Sequence, residues 1–187
     1  MIAGVDEVGR GPLAGPVVAA VVVLDAQDPM YGAYRDSKRL SERKRRLIYH
    51  HIRRHARAYA LASASVEEID RLNILHATFL AMRRAMDRLP IKPDRALVDG
   101  HHAPSLGDVA AEPIVGGDDK VQCIAAASIV AKVVRDRLMN LMAVRYPEYG
   151  FDTHKGYGTK GHLAAIKNHG ITPLHRRSFA PVRRLLE

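Results

Sequence analysis

The chain has 187 residues, enough for one well-buried domain, and its 47% hydrophobic and 26% charged composition is that of a globular protein. Lys and Arg number 29 against 20 Asp and Glu, a formal charge of +9 that favours a polyanionic partner. The lone Cys123 excludes an internal disulfide, no Cys/His cluster calls for zinc, and the longest apolar run, Val17 to Leu24, is too short to cross a bilayer.

Ile2–Val8 and Val17–Leu24 read as strands joined by a Gly/Pro-rich turn, a hairpin. Asp36-Ser37-Lys38 falls in a loop. Ser41 is placed to cap a basic helix that runs to about His55, with Glu42 in its first turn. Ala58–Ser65 alternates weakly, as a strand does. Val66–Leu72 reads as a short helix, and Ile74–Leu89 repeats its apolar residues at helical spacing until Pro90 and Pro93 stop it. Ala96–Gly100 is a short buried strand ending in Asp99. Ile114-Val115 leads to Gly116-Gly117-Asp118-Asp119 and a long helix from Val121 to Arg145, in which Ala125–Ser128 forms a small-residue packing face. The last forty residues, rich in Gly, His, Lys and Arg, hold a helix near Lys160–Asn168. Strands interspersed with helices, opening on a hairpin, predict an α/β layer fold with a mixed sheet. With no basic leader before the first strand, a cytoplasmic location is expected.

The chemistry concentrates at strand ends. Acids are poor strand formers, yet Asp6 and Glu7 sit together in the first apolar strand of a basic protein. A divalent cation turns such a cluster from costly to favourable. Asp99 and Asp118 also stand where a strand or loop ends, and an open α/β sheet gathers its strand ends into one site. Two hard cations held by carboxylates and bridged by a phosphate are the arrangement for in-line displacement. Neighbouring strand residues point to opposite faces, so the strand is expected to end or bulge at Asp6-Glu7, helped by Gly9. Gly9-Arg10-Gly11 then offers backbone N–H groups and a guanidinium to a phosphate backbone. Lys38, Lys155 and Arg176, in loop-like surroundings, are expected to touch phosphates, and Tyr157 between two glycines reads as a stacking platform. The Arg43–Arg46 run reads as a solvated helix face with diffuse attraction to nucleic acid. Asp119 reads as a solvated helix-start residue, with an outer-shell acid as the alternative, and Asp136 as an i,i+4 partner of Lys132.

Over nearly its whole length the chain resembles the ribonuclease HII family. The matching stretches are GVDEVGRGPLAGPVVAA at 4–20, DSKRLSERKR at 36–45, NILHATFLAM at 73–82 and LVDG at 97–100. They continue with GDDKVQCIAAASIVAKVVRDR at 117–137, YPEYGFDTHKGYGT at 146–159 and HRRSFAPV at 175–182. One departure is Asp119, where the family commonly has a small or polar residue. The resemblance implies a ribonuclease H-like fold: a mixed central sheet flanked by helices, one catalytic domain over 1–187, with 146–187 as a helical extension that grips substrate. It implies hydrolysis of the RNA strand of RNA–DNA hybrids and cutting 5′ of single ribonucleotides in duplex DNA, work belonging to DNA replication and repair. It also implies two divalent ions, Mg²⁺ or Mn²⁺, on Asp6, Glu7, Asp99 and Asp118, a junction-reading loop at Gly9, Arg10 and Gly11, and a sugar-stacking ring at Tyr157. The expected partners are these nucleic acids, with no membrane, no obligate protein partner and a monomeric state. Ribonuclease HIII, the nearest rival, carries an additional N-terminal domain, which is not expected here with Asp6 so early in the sequence.

Overall fold

The computed structural model describes residues 1–34 and 40–187. Five strands, β1 (Ile2–Val8), β2 (Val17–Val23), β3 (Ala58–Ala64), β4 (Arg95–Asp99) and β5 (Ala110–Ile114), form one sheet in the order β3-β2-β1-β4-β5. The β1/β2 and β2/β3 pairs are antiparallel, whereas β1/β4 and β4/β5 are parallel, so the sheet is mixed as expected. The helices are α1 (Glu42–His55), α2 (Val66–Leu72), α3 (Ile74–Asp87), α4 (Gly117–Lys120), α5 (Gln122–Arg145), α6 (Phe151–His154), α7 (Lys160–His169) and α8 (Ala180–Arg183).

β2 is buried at every position, which is why it reads as an unbroken valine and alanine run. Val17, Ala19, Val21 and Val23 pack toward Ala77, Ala81, Met82 and Ala85 of α3. Ala20 and Val22 pack on the opposite face, in the layer of α5 and α1. Ala125, Ala126 and Ala127 are wholly buried there, so the small-residue face of α5 lets the helix lie close on the sheet. The approach is tightest at Gly4, where a Cβ would stand 2.1 Å from the Cys123 carbonyl carbon. A third cluster, Ala14, Met139, Tyr149, Phe151, Ala165 and Ile166, seats the helical C-terminal part on the far half of α5.

Local caps set the boundaries. The Ser41 side chain accepts from the Lys44 N–H, and Ser65 and Glu68 form a reciprocal capping box on α2. Asn73, at φ 67°, ends α2 and caps α3 by accepting from the Leu75 and His76 amides.

Two expectations need correction. β1 neither ends nor bulges at its acids: its register with β2 runs unbroken from Gly4↔Val22 to Val8↔Val18. The pairing with β4 stops instead, at Val5↔Val98. Beyond that point β1 has a neighbour on one side only, and the Glu7 N–H donates to Asp6 Oδ1 at 2.7 Å. The segment before Ile114 is also a strand, β5, although it contains Pro113 and alternates poorly. It lies at the sheet edge, where a missing N–H is tolerated.

Candidate active site

The end of β1, the end of β4, α4 and the first half of α5 surround a cleft of about 500 Å³. Asp6, Glu7, Asp99 and Asp118 all line it, brought together from three elements: β1, β4 and α4. Asp6 is buried beneath α5, and Ser128 of that helix hydrogen-bonds its carboxylate. Burial, then the charges of Glu7 and Asp99, hold the Asp6 carboxyl well above the usual carboxylate range. Burial also raises Glu7, opposed by Arg10, whose Nη1 stands 3.4 Å from Glu7 Oε1. Asp99 Oδ1 accepts from the Gly117 amide at 2.7 Å and from the Asp118 amide at 3.4 Å. That contact fixes α4, and with it Asp118, against the end of β4. Asp118 is buried, while Asp119 beside it is exposed.

Gly9, Arg10 and Gly11 form one wall of the cleft and Tyr157, 44% exposed, stands at its rim. A Cβ on Gly11 would meet Tyr157 Cε1 at 3.4 Å, so the ring lies directly against the loop. The loop is locked from behind. Arg176 Nη2 donates to the Gly9 carbonyl at 2.6 Å, Nη1 to the Arg10 carbonyl at 2.9 Å, and Nε to the Gly15 carbonyl at 2.9 Å. Arg135 donates to the carbonyls of Pro16, Ala14 and Lys155, each at 3.0 Å, tying the loop to the segment before Tyr157. Its Nε would lie 2.2 Å from a Cβ at residue 9, where φ is +97°, so only glycine fits.

Arg176 therefore does not meet a phosphate as expected. It is 0% exposed, and its guanidinium serves the loop backbone. Burial and the nearby Arg135 charge lower its pKa to about 9. Lys155 is not among the residues lining the cleft; its Nζ donates to Asn140 Oδ1 at 2.6 Å and to the Asp152 carbonyl. Lys38 lies outside the described residues. Three cleft residues went unassigned in the sequence: Ser128, absorbed into the packing face of α5; Lys132, paired with Asp136 at 2.8 Å; and Arg45, read as part of a solvated run. Their helical spacing is a usable signal, since Ser128 and Lys132 at i,i+4 share one face of α5.

The donor set suits a hard divalent cation: four carboxylates line the cleft with no thiol or imidazole among its lining residues. Among the described residues no three acidic, His or Cys side chains are drawn into a closed cage. His101 and His102 are exposed and are not among the residues lining the cleft.

A mixed sheet thus carries acids at adjoining strand ends, with a helix lying across them and a helical C-terminal part beside them. The family model for ribonuclease HII matches residues 3–182. Ribonuclease HII of Dechloromonas aromatica is 56% identical over 186 residues, covering 100% of this chain and 94% of that protein. The crystal structure of ribonuclease H2 from Pyrococcus horikoshii is 28% identical, with a TM-score of 0.82 over 98% of this chain and 96% of the other. The ribonuclease HII of Archaeoglobus fulgidus, solved in complex with PCNA, is 26% identical with a TM-score of 0.79, covering 95% and 93%. The chain belongs to the ribonuclease HII family.

Proposed function

We propose that the chain hydrolyses the RNA strand of RNA–DNA hybrids and cuts 5′ of single ribonucleotides embedded in duplex DNA, leaving 3′-hydroxyl and 5′-phosphate ends. Asp6, Glu7, Asp99 and Asp118 would hold two divalent ions, Mg²⁺ or Mn²⁺. When bound, such ions supply Lewis-acid activation of water and neutralise charge at the leaving oxygen. The chain's own residues do the rest. Ser128 orients the Asp6 carboxylate, and Asp99 couples the position of Asp118 to the end of β4. Arg45 and Lys132 supply positive charge along the phosphate path. The carbonyls of Gly9 and Arg10 are turned inward to Arg176, and the loop's outer face reads the 2′-hydroxyl that separates RNA from DNA.

The observation that carries this reading is the contact of Gly11 with the Tyr157 ring beside the acids. It supports the reading because an exposed ring beside exposed loop backbone suits recognition of an RNA–DNA junction. Residues 146–187 act as the substrate-gripping part, and the chain works as a monomer in the cytoplasm during DNA replication and repair. The deciding experiment is digestion of a DNA duplex with one embedded ribonucleotide, with and without Mg²⁺, followed by mapping of product ends. Metal-dependent cutting on the 5′ side of the ribonucleotide is expected. No cutting, or 2′,3′-cyclic ends, overturns the reading.

A further inference from the structure

Behind Tyr157 lies a group of titratable side chains with no part in the steps above. His162, on α7, is 0% exposed, and His175 is 2% exposed. Their Nε2 atoms are 3.0 Å apart. Two nitrogens at that distance share one proton, and the outer partners say which ring carries it. The Thr172 amide donates to His175 Nδ1 at 2.9 Å, so that nitrogen is bare and the His175 proton sits on Nε2. His162 must then accept at Nε2 and carry its proton on Nδ1. That nitrogen lies 2.9 Å from the Tyr157 carbonyl and donates to it. The result is a directed chain from Thr172 through two neutral rings to Tyr157.

The same turn is held from its other side. The Tyr157 N–H donates to the His154 carbonyl at 2.9 Å, and the Gly156 N–H donates to His154 Nδ1 at 3.2 Å. The His154 ring stacks on His162 with centroids 4.5 Å apart, and Phe151 meets His162 edge-on at 5.4 Å. Gly156, at φ +86°, rests on the Ala14 carbonyl, where a Cβ would stand at 2.6 Å. An exposed aromatic on a turn between two glycines has little intrinsic order. Here its backbone is fixed at both N–H and C=O.

We propose that His162 and His175 are positioning residues for substrate reading: as neutral rings bonded Nε2 to Nε2, they hold the Tyr157 carbonyl and so present the Tyr157 ring to the cleft. The neutral state agrees with the surroundings. Burial lowers both imidazoles, His175 to about 4, with His162 the second cause there. A proton added to either ring would set two N–H groups against each other along the chain. The proposal rests on the stacking role given to Tyr157, and its tests are chosen to separate the two.

The first test uses the unaltered protein. Imidazole ¹⁵N shifts at neutral pH should show His162 as the Nδ1–H tautomer and His175 as Nε2–H. An Nε2–H or doubly protonated His162 overturns the proposal, whatever the enzyme cuts. The second exploits the absence of Trp from the chain. Tyr157→Trp places a lone tryptophan on the turn, excited apart from the tyrosines at the red edge, and His162→Phe in that background should lower its steady-state anisotropy. The third is kinetic. On the embedded-ribonucleotide duplex in Mg²⁺, His162→Phe should raise KM about tenfold and leave kcat nearly unchanged, the mark of lost binding rather than lost chemistry. His162→Asn, whose amide reproduces the Nδ1 donor, should recover most of that loss. In a Tyr157→Ala background His162→Phe should add nothing further, because residues that act through one contact are not additive. Unchanged anisotropy, or an equal loss in both backgrounds, overturns the proposal. A wild-type enzyme that fails to cut defeats the function instead, and the tautomer and anisotropy results stand apart from it.

Discussion

Arg176 Nη2 lies 2.6 Å from the Gly9 carbonyl, joining residues 167 positions apart, and the same guanidinium also holds Arg10 and Gly15. A charged group thus stabilises a loop next to the acids without touching solvent. Arg is suited to this because its fork of donors is rigid, whereas Lys offers one rotating point charge.

Arg176→Met should destabilise the protein strongly. It leaves the carbonyls of Gly9, Arg10 and Gly15 without their partner, and each buried unsatisfied group costs about 1–3 kcal/mol. A net loss of about 3–5 kcal/mol corresponds to a fall of roughly 10 °C in Tm for a domain of this size. Thermal melts followed by circular dichroism test this. A fall of only a degree or two would mean that the loop holds itself.

Salt dependence should sort the basic residues by position. Removing a phosphate contact makes the log–log slope of affinity against salt shallower by about 0.9 on duplex DNA. Arg45→Gln and Lys132→Gln, both in the cleft, should show that change. Arg176→Lys should weaken binding with its slope unaltered, as befits a buried residue. Titrations of a labelled hybrid at several salt concentrations, without divalent cation, distinguish the two behaviours.

Asp99→Asn should abolish cleavage, a fall of at least about a hundredfold, while the protein stays folded. The Asn carbonyl oxygen can still accept from the Gly117 amide, so α4 keeps its place. Asp118→Asn should be comparably severe and Asp119→Asn mild, because Asp118 is buried in the cleft and Asp119 faces solvent. Single-turnover cleavage rates for the three variants give the ranking directly, and a severe Asp119→Asn would reassign the pair.

Acid should weaken the C-terminal part before it affects the sheet. Burial holds His175 at about 4 against an ordinary 6.5. A group whose folded pKa is depressed binds fewer protons in the folded state. Its contribution is therefore complete above about 6.5, declines as pH falls, and is gone near pH 4. The shift corresponds to roughly 3 kcal/mol. Urea midpoints measured across that range should fall toward acid in the wild type, and more shallowly in His175→Asn.

Much of the fold was legible in the sequence because its signals are local. The valine run of β2, the Ser41 cap and the alanine face of α5 each declare themselves within a few residues. The four acids were legible because carboxylates are out of place where they stand. β5 was obscured by Pro113, by the exposed Glu112 and by weak alternation, all of which an edge strand tolerates. Arg176 was misplaced for a different reason. An arginine in a loop has the same local sequence whether it faces solvent or sits beneath another loop, and only the meeting of residues 9–16 with 174–176 decides between them. Ser128 and Lys132 were hidden by their helix, whose packing face and cleft face adjoin.

Gly4 sets how closely α5 lies on β1. It lies two residues before Asp6, at the point where the start of α5 rests on β1 with no room for a methyl group. The same helix, a turn and more further on, delivers Ser128 to the Asp6 carboxylate. The two contacts act as fulcrum and tip of one rigid rod. A carbon atom added at residue 4 would lift the fulcrum and swing the serine away from the acid it orients, leaving every carboxylate chemically intact yet misaligned. The spacing between two layers of the fold is in this sense a gauge for the catalytic geometry, set by an atom the chain does without.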